Sequence, residues 1–97
     1  MAVRLIVTIE AKSGQGVALA KAYGSRCADA EKEPGCEQFE VFQSAVHPDK
    51  LVLLERWADQ AALDVHAELN RSRPQLAPEL RAEGGGERED YEYNRTR

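Results

Sequence analysis

Residues 33–69 read EPGCEQFEVFQSAVHPDKLVLLERWADQAALDVHAEL, and the fold is decided there. Glu33-Pro34-Gly35 is a stop: proline disfavours helical geometry in the residue before it, and glycine accepts positive φ. Residues 36–46 then alternate, with Phe39 and Val41 on one face and Phe42, Ser44 and Val46 on the other, the period of two that marks a strand. His47-Pro48-Asp49-Lys50 is a tight turn with proline preset at its second position, which leaves His47 solvated. Leu51 to Trp57 is a third strand, apolar on both faces, with Leu51, Leu53 and Trp57 on one side and Val52 and Leu54 on the other. Asp59 caps a helix running to about Asn70. On that helix Ala62, Leu63, Val65, His66, Leu69 and Asn70 fall on one arc, with His66 near its middle.

Upstream, residues 2–10 alternate Val3, Leu5, Val7, Ile9 against Arg4, Ile6, Thr8, Glu10, a first strand. Lys12-Ser13-Gly14-Gln15-Gly16 breaks that pattern. It lacks the further glycine and lysine of a phosphate loop, so it is a turn into a helix over 17–32. Leu19, Tyr23 and Cys27 form the apolar stripe of this helix, while Lys21, Ser25, Asp29 and Lys32 face water. Downstream, Ser72-Arg73-Pro74 resembles a capped restart into a short helix through Leu76 and Leu80. Gly84-Gly85-Gly86 is a joint, and the alternation around Tyr91 and Tyr93 predicts a fourth strand at about 88–94.

The chain of 97 residues makes one domain over 1–97, with its core at about 3–82. A formal charge of −4 and no basic stripe argue against nucleic acid and anionic membranes. No apolar run approaches the roughly 20 residues of a membrane span, and the opening MAVRLIVTIE is a strand rather than a signal peptide. Cys27 and Cys36 are too few for a disulfide framework and lack metal spacing, so reduced thiols in a cytoplasmic protein are expected.

These elements predict an α+β domain: a four-stranded antiparallel sheet with both main helices on one face. If the helices cover Val7, Phe39 and Leu53, then Ile6, Phe42, Val52 and Leu54 are left toward water. A contiguous apolar patch calls for a partner, and a second copy related by a twofold axis is the simplest one. A homodimer is therefore expected.

In that order and spacing, Glu33-Pro34-Gly35-Cys36, Phe39-Glu40-Val41-Phe42, Leu53-Leu54-Glu55-Arg56-Trp57 and Ala62-Leu63-Asp64-Val65-His66 resemble an antibiotic biosynthesis monooxygenase domain of the small quinol monooxygenase type. The resemblance implies ferredoxin-like protomers paired in a dimeric α+β barrel, each with a pocket between helices and sheet. It also implies oxygen insertion into a quinol-like or phenolic aromatic molecule, with O2 as co-substrate and no metal, flavin or other cofactor. Carried over by position, Trp57 and His66 match the tryptophan ending the third strand and the histidine of the second helix. Several positions depart from relatives. Leu53 stands where some carry asparagine, and Arg73-Pro74 replaces a histidine–phenylalanine pair. Val7 or Thr8 stands where haem-degrading relatives need asparagine, and no histidine follows His66 to bind haem iron, so haem degradation is not expected.

Triplet oxygen reacts slowly with closed-shell molecules unless an electron-rich anion donates to it. A site for such chemistry needs a dry apolar cavity, a base and donors that hold the anion. Histidine, with an ordinary pKa of about 6.5, is the usual base near neutral pH. His66 and Trp57 are thus the candidate catalytic pair, with Phe39, Leu53, Leu63, Leu69 and Tyr23 as the substrate-binding wall. Read from the residues alone, a histidine on an apolar helix face is more commonly a buried neutral side chain hydrogen-bonded to backbone, and Trp57 a core side chain. A non-oxidative isomerase, a ligand-binding dimer and a structural dimer with a vestigial cavity are the competing readings.

Overall fold

A computed structural model describes residues 1–84, 86–94 and 96. Strand β1 (Val3–Glu10) leads into helix α1 (Gly16–Glu31), then strands β2 (Cys36–Gln43) and β3 (Lys50–Trp57), helix α2 (Gln60–Arg71), a single 3-10 turn (Pro78–Leu80) and strand β4 (Arg88–Glu92). The sheet order is β2-β3-β1-β4, with every neighbouring pair antiparallel. This β-α-β-β-α-β chain with β3 and β1 at the centre is the ferredoxin-like α+β fold.

Strict alternation sorts the central strands into two faces. Val3, Leu5, Ile9, Leu51, Leu53 and Trp57 are buried and face the helices, joined by Leu19, Tyr23 and Ala30 from α1 and Leu63 from α2. Pairing sets the rows: Leu5 lies opposite Glu55, and Phe39 lies opposite Glu55 from the other side. Glu55 is therefore in the middle of the covered face, between an aliphatic and an aromatic side chain.

Three local expectations are corrected. Strand β2 ends at Gln43, not at residue 46, because Ser44 Oγ accepts the N–H groups of Val46 and His47 and turns the chain early. Asp59 does cap α2, its carboxylate accepting the Ala62 N–H at 2.8 Å. Ser72, expected to start another helix, instead ends this one, its hydroxyl donating to the Leu69 carbonyl. Among the described residues only Pro78–Leu80 is helical beyond it, entered through Ala77 at φ 42° with Pro78 in the first turn. Tyr93 lies just past β4, and the expected joint at 84–86 includes Gly85, which is outside the described residues.

Candidate functional site

The turn Glu33-Pro34-Gly35 is held against α2. Gly35 has φ +81°, and a Cβ added there would come within 2.5 Å of the Ala62 Cβ. A side chain would thus be strained and would also push the turn off the helix. The Gly35 carbonyl accepts the Ala58 N–H at 2.8 Å, a second tie between the turn and the start of α2. Ala62 lies one helical turn before His66, so the same docking carries Glu33 to the imidazole.

His66 is 6% exposed and is the middle of a polar row. Its Nδ1 lies 2.9 Å from Glu33 Oε1, and the other Glu33 oxygen accepts from the Arg73 guanidinium at 3.0 Å. Its Nε2 lies 3.9 Å from Glu55 Oε1, beyond hydrogen-bond reach. Glu55 Oε1 accepts the Trp57 indole N–H at 2.9 Å. The Trp57 ring stacks on the imidazole with centroids 4.6 Å apart, and the Phe39 ring meets it at 5.4 Å, both tilted. Burial pushes the Glu55 carboxyl above the ordinary carboxylate range, against the pull of the Trp57 N–H and the imidazole.

His66 and Glu55 open together onto a cavity of about 270 Å³ between α2 and the sheet, lined also by Leu5, Leu63, Asn70 and Arg88. Its inner wall is aliphatic and acidic, while Asn70 and Arg88 are exposed at its edge, the Arg88 guanidinium paired with Asp90. A larger hollow of about 560 Å³ lies on the uncovered face of the sheet, beside Phe42 and Val52. It holds neither His66 nor Glu55, and its titratable lining, Glu10, Lys50 and Glu87, is exposed, so the smaller cavity is where buried proton-carrying groups meet.

Of the residues expected at the site, His66, Trp57 and Phe39 come together as stacked rings, and Leu63 lines the cavity. Trp57 is fully buried behind the imidazole rather than on the cavity wall, and its N–H is already engaged by Glu55. The hollow thus lies beside the two rings and not between them. Leu53 is core beneath them. Leu69 is 44% exposed, because the inward line of α2 runs through Leu63 and His66, a turn of the arc away from Val65 and Leu69. Tyr23 borders a separate cleft between α1 and β2 with Cys27, and burial raises its hydroxyl pKa.

Glu55 and Glu33 were missed by sequence reasoning. Glu55 carried a signal: the alternation of LVLLERW puts it on the face of Leu53 and Trp57, a carboxylate on an apolar face. Glu33 carried none, since a turn residue 33 positions from its partner has no periodic trace. The Cys36 thiol is pushed up to about 11 by burial and then by Glu33, away from the range of a reactive thiolate. Among the described residues no group of three or more His, Cys, Asp or Glu side chains is arranged to hold a metal ion.

A ferredoxin-like domain whose covered face buries a histidine between two carboxylates is a small α+β protein with a polar row set beside a cavity. Residues 2–73 match the model of the antibiotic biosynthesis monooxygenase family, and the chain belongs to that family. Among solved structures it is similar to PA3566 from Pseudomonas aeruginosa (26% identity, TM-score 0.76, covering 97% of this chain and 95% of that one). SO0527 from Shewanella oneidensis is comparable, at 27% identity, TM-score 0.76, and coverage of 93% and 88%. A structure described as an antibiotic biosynthesis monooxygenase shares the fold at 20% identity and TM-score 0.75, covering 96% and 99%. No curated protein sequence matches the chain.

Proposed function

We propose that the protein is a monooxygenase that oxidises a quinol-like or phenolic aromatic molecule with O2, the substrate supplying the electrons without metal or flavin. Family membership supports oxygenase chemistry. The single observation that carries the site is the meeting of His66 and Glu55 at one cavity. In this reading a substrate hydroxyl donates to His66 Nε2, and the imidazole takes its proton. The imidazolium then lies between Glu33 at 2.9 Å and Glu55 at 3.9 Å. Asn70 and Arg88 line the same cavity, Arg88 with Nε donating to Asp90 at 2.9 Å, and in this reading they are the nearest polar groups to the resulting oxyanion.

The anion gives an electron to O2, the radical pair collapses at a ring carbon that bears hydrogen, and the imidazolium returns its proton to the peroxide to give a hydroperoxide. Loss of water leaves a carbonyl, so one oxygen atom ends in the product and the other in water. Trp57 and Phe39 keep the imidazole oriented and the site dry, and are not the groups that bind the oxyanion.

The protein acts as a homodimer in this proposal, with the uncovered sheet face as its contact. Phe42 is 48% exposed there, and Ile6, Val52 and Leu54 are half-buried. An obligate contact of this kind buries on the order of 2,000 Å² or more. A non-oxidative isomerase is the second reading, because two proton-carrying groups on one cavity also suit a proton shuttle.

Oxygen uptake by metal-free protein over a panel of hydroquinones and naphthols separates the two. Uptake above the no-protein rate, lost about 10²–10⁴-fold in His66→Gln, is the expected result. Uptake equal to the no-protein rate across the panel rejects the oxygenase.

A further inference from the structure

The proton position on His66 decides whether the ring can act as a base toward the cavity. A carboxylate only accepts hydrogen bonds, and Glu33 Oε1 lies 2.9 Å from Nδ1, so the hydrogen-bond network assigns the ring proton to Nδ1. The other nitrogen, Nε2, then points its lone pair at the cavity side, with Glu55 Oε1 too far away at 3.9 Å to donate or accept in a direct bond. Glu33 is itself fixed twice. Arg73 from beyond α2 donates to its free oxygen at 3.0 Å, and the Gly35 backbone is seated on Ala62 with no room for a side chain. The Glu33 side chain is only 9% exposed, so water does not compete for Nδ1.

We propose that Glu33, held by Arg73 and by the docked Pro34–Gly35 turn, is the positioning residue of this site, locking His66 in the Nδ1–H tautomer so that bare Nε2 faces the cavity. Its role in catalysis rests on His66 acting as the base; the tautomer itself does not. The lock explains why an acidic turn between α1 and β2 and an arginine after α2 converge on one ring. It also divides the labour between the two buried carboxylates. Glu33 orients the imidazole from behind, while Glu55 shares the cavity wall with it.

Long-range proton–nitrogen correlation spectra of the nitrogen-labelled protein, recorded between about pH 6 and 9, across histidine's ordinary range, test this directly. The exposed His47 serves as the internal reference. In the native protein His66 is expected to show a protonated Nδ1 and a bare Nε2. In Glu33→Gln the amide can turn its NH2 toward Nδ1, so the ring proton moves to Nε2 and the two nitrogen resonances exchange character. In Arg73→Met the anchor is lost and the two tautomers mix. An Nε2–H tautomer in the native protein, a ring protonated on both nitrogens throughout that range, or unchanged spectra in a folded Glu33→Gln each overturn the proposal. The Trp57 indole N–H resonance reports whether the variants keep the fold.

In the oxygen-uptake assay Glu33→Gln is expected to lower kcat about 10–10²-fold with KM kept, the loss seen when a metal-bound histidine loses its outer partner. Expected spectra together with no uptake by the native protein would reject the oxygenase reading and leave the lock standing.

Discussion

The two faces of one sheet, built from the same strands, have opposite fates. On the covered face Leu5, Glu55 and Trp57 are buried under two helices, and a carboxylate and an imidazole are taken out of water together. On the other face Ile6, Phe42, Val52 and Leu54 remain half-buried or exposed beside the larger hollow. Burial alone does not make a site. The covered face has a candidate one because two titratable groups are held inside it, each with a partner: Glu33 on His66, and the indole on Glu55. The open face has more room and no such pair.

Substitutions on the covered face should therefore cost folding, and those on the open face should cost association. Trp57→Ala removes a fully buried ring and is expected to destabilise by about 3–5 kcal/mol in denaturant unfolding. Gly35→Ala meets both its positive φ and the Ala62 side chain, with an expected loss of about 1–3 kcal/mol by the same measurement. Phe42→Asp on the open face is expected to leave the protomer folded while light scattering shows monomer at micromolar concentration. A dimer unaffected by Phe42→Asp would place the contact elsewhere.

Glu55→Gln sharpens the comparison through pH. The folded protein raises this carboxyl above its ordinary 4.5, so the native state holds the proton more tightly than the unfolded chain. Stability from this group is then full at low pH and falls as pH rises through the folded value. Gln keeps the shape and the acceptor for Trp57 but has no charge to bury. Its melting temperature should match the native protein's below about pH 4 and exceed it increasingly above, the sign that linkage requires. The smallest effect belongs to Leu69→Ser, an exposed apolar position expected to change stability by no more than about 0.5 kcal/mol.

The covered face was largely legible in the sequence, since alternation in 3–9 and 51–57 and the amphipathic arc of 60–70 place its strands and helix correctly. The histidine on that arc was legible too. What escaped was long-range and polar. Glu33 read only as part of a stop, because its partners His66 and Arg73 are brought to it by the seating of Gly35 on Ala62. Leu69 was assigned inward because a helical wheel gives the width of an arc and not its bearing toward the sheet. The region after α2 resembled a helix start, yet the Ser72 hydroxyl turned back to Leu69 and made it an end.

The claim on which the account depends is that the working hollow is the smaller, covered one. A crystal structure of the protein soaked without oxygen in 1,4-dihydroxynaphthalene tests it most directly. The account expects the ring between α2 and the sheet, one hydroxyl within hydrogen-bond reach of His66 Nε2. Density for the molecule only on the open face beside Phe42, with the His66 cavity unchanged, would contradict it.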